Sequence, residues 1–292
     1  MGTNETTVHL SGHQGAIYDA FWDAHSETWL TAGGDGIVAE WPRNGKGEGR
    51  ALLHHEKAFF AVSAHEGRRV AGTENGELFR WKTAESAEAQ RLQAHANGLF
   101  ALAWTASGLL ISGGGDERVV VWNDEGQQSE WRLPGAQKIR CIVPQGKRIF
   151  IGTTEGQAHT TSVDELMASH PAALSLTGHA GGCYAAMWHP KKEAWMSGGR
   201  DGHVRVWGKN GEEILAFPAH EGAIYRMAIA QGKLWTASRD KTVKSWSMDD
   251  LSPLQKITFK NGGSNRSINA LSASTDALLF GGDDRMGRLL SI

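Results

Sequence analysis

Residues 179–207 read HAGGCYAAMWHPKKEAWMSGGRDGHVRVW. In this stretch His179 opens a unit, Ser197 stands before a Gly-rich turn ending in Asp201, and Trp207 follows six residues after that Asp. The same landmarks return along the chain. His13 leads to Thr31, Asp35 and Trp41; His95 to Ser112, Asp116 and Trp122; His220 to Thr236, Asp240 and Trp246. A fifth copy, His55, Ala71, Asn75 and Trp81, has lost the hydroxyl and the carboxylate. Two fainter copies lie around Glu155 with Thr161 and around Asp283 with Leu289. With Asp35, Asn75, Asp116, Glu155, Asp201, Asp240 and Asp283 taken as equivalent, the steps are 40, 41, 39, 46, 39 and 43 residues. A repeat of that length marks a propeller or a solenoid. Seven units fill almost the whole chain, so residues 1–292 are expected to form one domain despite their number.

Local signals within each unit are all β. In the first, IYDAFW (17–22), TWLTA (28–32) and IVAEW (37–41) are short aromatic and β-branched runs separated by Asp, Ser and Gly, and a fourth run covers 51–53. Four antiparallel strands per unit, with the His, Ser/Thr, Asp and Trp landmarks, resemble the WD-repeat family. The dipeptide that names the family is missing: Trp41 is followed by Pro, Trp81 by Lys, Trp122 by Asn, Trp207 by Gly and Trp246 by Ser. The resemblance implies an all-β, seven-bladed β-propeller of four-stranded antiparallel blades. The last unit ends at Leu289 to Ile292 with no residues for a fourth strand, while Thr6 to Leu10 precede Ser11-Gly12-His13 much as Ala172 to Leu176 precede Thr177-Gly178-His179. The N-terminal strand is therefore expected to complete the last blade and leave no open edge.

Composition limits the partners. Thirty Lys and Arg against 32 Asp and Glu leave a formal charge of −2, too little for a bulk field toward nucleic acid or an anionic membrane. No apolar run approaches the roughly 18 to 20 residues of a membrane span, and MGTNETTVHL carries no leader pattern, so a cytoplasmic, monomeric fold is expected. Cys141 and Cys183 fall on first-strand positions and read as buried, reduced thiols. The triplets Asn4-Glu5-Thr6 and Asn265-Arg266-Ser267 match a glycosylation acceptor but lack a secretory context. Asp164 to Ser169 suggest one helical turn in the long fourth unit, and Asn261 to Ser267 replace the Gly-His loop in the seventh.

A Ser, a His and an Asp in one unit imitate a hydrolytic triad, and several His and Asp imitate metal ligands. Repetition argues against both, because a catalytic centre is needed once and a scaffold contact is needed in every blade. The resemblance implies instead a hydrogen-bonded structural relay in each of the four complete sets. Gly113-Gly114-Gly115 and Gly45-Lys46-Gly47 belong to no phosphate-loop pattern. The sequence points to no enzyme, no cofactor and no metal.

A binding face is the remaining reading. The loops from fourth strand to first and from second to third emerge on one side of the ring, where function on a rigid scaffold tends to lie. Five residues after each His stand Tyr18, Phe60, Phe100, Tyr184 and Tyr225; Arg140 and Asn269 take that place in the units without His. Two residues earlier the chain is small or flexible, as at Ala16, Ala58, Gly98, Gly182, Ala223 and Ser267, with Lys138 in the fourth unit, which is expected to leave the rings uncovered. Strand alternation predicts that flanking residues such as Ile17 and Asp19, or Cys183 and Ala185, face the other way. The resemblance implies that the aromatic position rims the top of the central channel. Tyr, Phe and Arg are also residue types that anchor interfaces. Arg200 and Arg239 precede the turn Asp in units five and six, where unit two has Glu74. With Lys138, Arg140 and Arg226 they predict a positive sector that meets an acidic residue or a C-terminal carboxylate of a partner protein or peptide. The competing reading is an aromatic cage for a small cationic ligand or modified side chain, against which Arg140 speaks.

Overall fold

The computed structural model describes residues 7–83, 89–133, 135, 137–168 and 173–292. Thr6 of the expected closing strand, the Asn4-Glu5-Thr6 triplet, Ser169 and Ala172 lie outside the described residues. Among the described residues the chain folds into seven four-stranded antiparallel sheets, the blades of a β-propeller. Blade one is made of Ile17–Asp23, Thr28–Gly33, Ile37–Pro42 and Arg50–His54, counted from the channel outward. The other blades repeat this order. Thr7–Leu10 pairs antiparallel with Gly287–Ser291 and becomes the outer strand of blade seven, so the two ends of the described chain close the ring.

Burial follows position in the blade. Second strands such as Ala194–Gly199 and Ala277–Gly282 are buried along their whole length because neighbouring blades cover both faces. They therefore read as unbroken runs of apolar and small residues rather than as alternation. Outer strands such as Glu213–Pro218 are largely exposed. The core consists of the joints between blades: Val204 and Val206 of blade five pack with Ile224 and Met227 of blade six, and Ile17 of blade one with Leu279 and Leu289 of blade seven.

Every first strand carries a β-bulge at the same place. The pairing with the second strand skips Tyr18, Phe60, Phe100, Arg140, Tyr184, Tyr225 and Asn269, so each of these residues has no partner in its ladder. A bulge sets two residues against one and bends the strand, re-aiming the extra side chain.

Turn geometry corrects one equivalence. In complete units the turn Asp accepts the backbone N–H two residues on, as Asp35 does from Ile37 and Asp201 from His203. In blade seven it is Asp284 that accepts the N–H of Met286. The residue after the turn Asp is left-handed throughout, Gly36 at φ 74° and Arg285 at φ 65° among them, and a Cβ at Gly36 would lie 1.9 Å from the His55 carbonyl oxygen. Asp283 therefore belongs to the position before the turn, with Arg200 and Arg239. In blade four the expected helical turn is an α-helix, Val163–Met167, closed at its start by a capping box between Ser162 and Glu165.

Candidate functional site: a collar at the channel mouth

Four blades carry a complete side-chain chain from the buried third strand to the loop. In blade five Trp207 Nε1 donates to Ser197 Oγ (2.7 Å), His179 Nε2 lies 2.8 Å from that hydroxyl, and His179 Nδ1 lies 2.9 Å from Asp201. The other sets match: Trp41, Thr31, His13 and Asp35; Trp122, Ser112, His95 and Asp116; Trp246, Thr236, His220 and Asp240, with every link between 2.7 and 3.0 Å. Each Asp also accepts the backbone N–H after its His, tying the loop to the turn. Burial is the largest single influence on the Asp116, Asp201 and Asp240 carboxyls and works to raise them, but the hydrogen bonds and charge of His95, His179 and His220 together with backbone N–H bonds outweigh it and hold all three far below the usual range.

The incomplete blades tie the same points differently. In blade two, with Ala71 at the hydroxyl position, His55 turns to Glu77 (3.2 Å), which also meets Arg91, while Asn75 accepts from Thr73. Blade four links Thr153, Gln137 and Gln157 side chain to side chain, and its Thr161 donates to Glu165 of the helix. In blade seven Ser264 donates to Asp284, which Arg288 meets at 2.7 Å.

Above these ties the two kinds of loop are joined in all seven blades by one backbone bond, such as Gly34 N–H to the Ala16 carbonyl or Asp283 N–H to the Ser267 carbonyl. The bulged residues stand beside this bond and stack on one another from blade to blade. Tyr18 meets Phe60 edge to face at 5.1 Å, Phe60 stacks on Phe100 at 5.4 Å, and Tyr184 stacks on Tyr225 at 5.8 Å. Arg140 bridges the two groups, its guanidinium 4.7 Å from the Phe100 ring centre and 5.1 Å from that of Tyr184. Burial lowers the Arg140 pKa, and Arg226 adds to that effect. Asn269 faces Asp283, 2.7 Å away. These seven residues form a half-buried collar.

The structure explains the small neighbours differently from the sequence reading. A Cβ on Gly182 would lie 2.5 Å from the Tyr184 ring, and one on Gly98 2.8 Å from that of Phe100. Small residues there let the rings lie down on the backbone; they do not leave them bare. Alternation also fails at the bulge. Ile17 and Cys183 are buried between blades as expected, but Asp19 and Ala185 line the channel together with Tyr184.

A mouth cavity of about 370 Å³ is lined by Tyr18, Phe60, Phe100, Arg140, Tyr225, Arg239, Asn269 and Asp283, among others. The channel below holds a cavity of about 350 Å³, and Phe100, Arg140 and Arg226 line both. Across the channel Arg226 of blade six pairs with Asp19 of blade one at 3.0 Å, and Asp19 also accepts the Val62 N–H. Sequence reasoning missed this pair; its signal is that Asp19 and Arg226 follow the bulge where four other blades have Ala. Of the two rim arginines only Arg239 lines the mouth cavity, while Arg200 is exposed and lies against Gly181. Rim charge is divided. Burial raises the Tyr18 phenol, with Asp283 and Glu74 adding to it; Tyr225 is also raised by burial, with Arg239 pulling the other way.

Among the described residues no helix is long and apolar enough to cross a membrane, and no group of three or more His, Cys, Asp or Glu is placed to hold a metal ion.

Comparison with known proteins agrees with this architecture. The model for the WD domain, G-beta repeat, matches residues 87–123, 172–208 and 211–247, three of the four units with a complete relay. Echinoderm microtubule-associated protein-like 2 of Rattus norvegicus is 30% identical over 161 residues, 52% of this chain and 24% of that protein. Zinc finger CCCH domain-containing protein 17 of Oryza sativa subsp. japonica is 25% identical over 177 residues, 59% of this chain and 39% of that protein. The chain thus matches well under half the length of these relatives. The crystal structure of the WD40 beta propeller domain of Doa1 superposes with a TM-score of 0.85 at 16% identity, covering 97% of this chain and 95% of that one.

Proposed function

We propose that this chain, a seven-bladed propeller carrying WD40 repeats, is a non-catalytic interaction scaffold that receives a segment of a partner protein at the collar. The observation that carries the reading is the mouth cavity, where aromatic edges, the Arg239 guanidinium and the Asp283 carboxylate converge on a space of about 370 Å³. A partner offers an apolar or aromatic side chain to the rings and a carboxylate to Arg239. Asp283, in the blade next to that of Arg239, repels the same carboxylate and directs it toward the guanidinium.

The cation-cage reading is weaker for a geometric reason. A cage needs free ring faces, whereas the collar rings cover one another and Arg140 already occupies faces of Phe100 and Tyr184. The relatives' names are consistent with assembly roles, one of them being microtubule-associated, but the matched part is a minor share of each.

Capture from a lysate of the source organism tests the proposal, comparing the unaltered protein with Tyr225→Ala, Arg239→Glu and Arg200→Glu variants of equal melting temperature. Partners retained by Arg200→Glu and weakened about 30-fold or more by Tyr225→Ala and Arg239→Glu are the expected result. Equal retention by all three overturns the mouth as the recognition surface.

A further inference from the structure

Cys141 and Cys183 occupy a joint between blades four and five that is built differently from its counterparts. The residue after the bulge is Ala in four other blades, and the residue before it is Ile, Leu or Phe in all six others. At those four joints a small residue of one blade therefore meets a large one of the next, as Ala101 meets Ile139 or Ala185 meets Ile224. Here Cys141 is larger than the usual Ala and Cys183 smaller than the usual Ile. Two thiols thus stand where those joints set a methyl group against a larger apolar side chain, and filling space does not require sulfur on both sides.

The two sulfurs converge. Both crowd the point where a Gly152 side chain would begin, Cys141 Sγ at 2.6 Å and Cys183 Sγ at 3.1 Å. At the equivalent glycines Gly113 and Gly198 that place is filled by Ile139 and Ile224. Cys141 lines the channel cavity and is half-buried, while Cys183 is fully buried behind it. One cysteine borders the channel cavity and the other is held next to it.

We propose that Cys141 and Cys183 are a redox-active pair that a hydroperoxide converts into a disulfide between blades. The Cys141 sulfur attacks the peroxide oxygen, the O–O bond breaks, and water or an alcohol leaves together with the thiol proton, giving a sulfenic acid. The Cys183 sulfur then attacks Cys141 sulfur, the S–O bond breaks, and the departing hydroxide takes the Cys183 proton as water. Two thiols and one hydroperoxide thus yield one disulfide, one water and one water or alcohol. A small-molecule dithiol reverses the bond by exchange. The direction of attack agrees with the thiol environments: the hydrogen bond from Cys183 lowers Cys141, with Arg226 and Arg140 adding to it, whereas Cys183 is raised by its neighbour and by burial. Because Cys141 follows Arg140 and Cys183 precedes Tyr184, the bond joins the strands that carry two collar residues, and it forms whether or not the mouth is a partner site.

The test treats the folded protein with hydrogen peroxide, removes the excess with catalase, unfolds the chain in the presence of N-ethylmaleimide and measures the intact mass. The reduced protein takes two maleimides; the expected oxidised product takes none, is lighter by about 2 Da than the reduced chain, and recovers both sites after dithiothreitol. A digest then yields one linked peptide pair containing both cysteines. Two reactive thiols after peroxide, a sulfinic or sulfonic Cys141 beside a free Cys183, or a dimer linked between chains each overturn the proposal. Cys183→Ile restores the residue found in four other blades; in that variant Cys141 is expected to take dimedone after peroxide, and a variant that melts like the parent yet gives no adduct overturns the order of attack.

Discussion

Blades one, three, five and six hold their turns with a Trp–hydroxyl–His–Asp chain, and blades two, four and seven do not, yet all seven share one register and one bulge. In blade two the His55–Glu77–Arg91 cluster replaces the relay; in blade four it is Thr153–Gln137–Gln157, and in blade seven Ser264–Asp284–Arg288. What every blade keeps is a polar tie between loop and turn, because buried polar groups held far from any partner are costly. The four-residue relay is one solution. It differs from the others in reaching through a buried His to the indole of the third strand, so its loss is felt deeper in the blade.

Acid should separate the relay blades from blades two and four most strongly. Burial keeps His220 below its ordinary value, so its contribution is present above about pH 6.5 and lost as the pH falls beneath that point, where the unfolded chain binds the proton first. Asp116, Asp201 and Asp240 are depressed as well, and the stability they supply is present above their ordinary value near 3.8 and lost below it. Urea midpoints are expected to decline gently below about pH 6.5 and steeply below about pH 4. Hydrogen exchange followed by mass spectrometry should show strands 118–122, 203–207 and 243–247 opening before those of blades two and four. Uniform opening of all blades would remove the distinction.

Within a relay blade, Ser197→Ala strands both the Trp207 indole N–H and His179 Nε2 in a buried site, at a cost of about 3 kcal/mol. A melting temperature lower by roughly 5 °C is expected in calorimetry. Glu77→Gln probes the substitute tie in blade two, where the Arg91 partner is largely exposed and screened by water; about 1 kcal/mol is expected from urea titration. A larger loss from Glu77→Gln than from Ser197→Ala would reverse the ranking of the two kinds of tie.

The collar was legible because its spacing from the His is constant, and the bulge that creates it falls at the same step in every blade. Blade count and closure were legible for the same reason: the period and the missing last strand are properties of the chain alone. The doublet Asp283-Asp284 misled by one residue, since either Asp fits the faded pattern. Arg288, four residues after Asp284 as Arg205 is four after Asp201, was the available signal. The Asp19–Arg226 pair was out of reach because 207 residues separate its members and only ring closure brings them across the channel. Alternation failed where the bulge suspends it, and no single strand announces its own bulge.

The unpaired standing of the collar residues has a consequence for descent. A side chain skipped by the ladder can be exchanged without disturbing a backbone partner, and Tyr, Phe, Arg and Asn already occupy the place in different blades of this one chain. Seven such places on a closed ring give a lineage a surface it can rewrite letter by letter while the scaffold beneath is inherited unaltered.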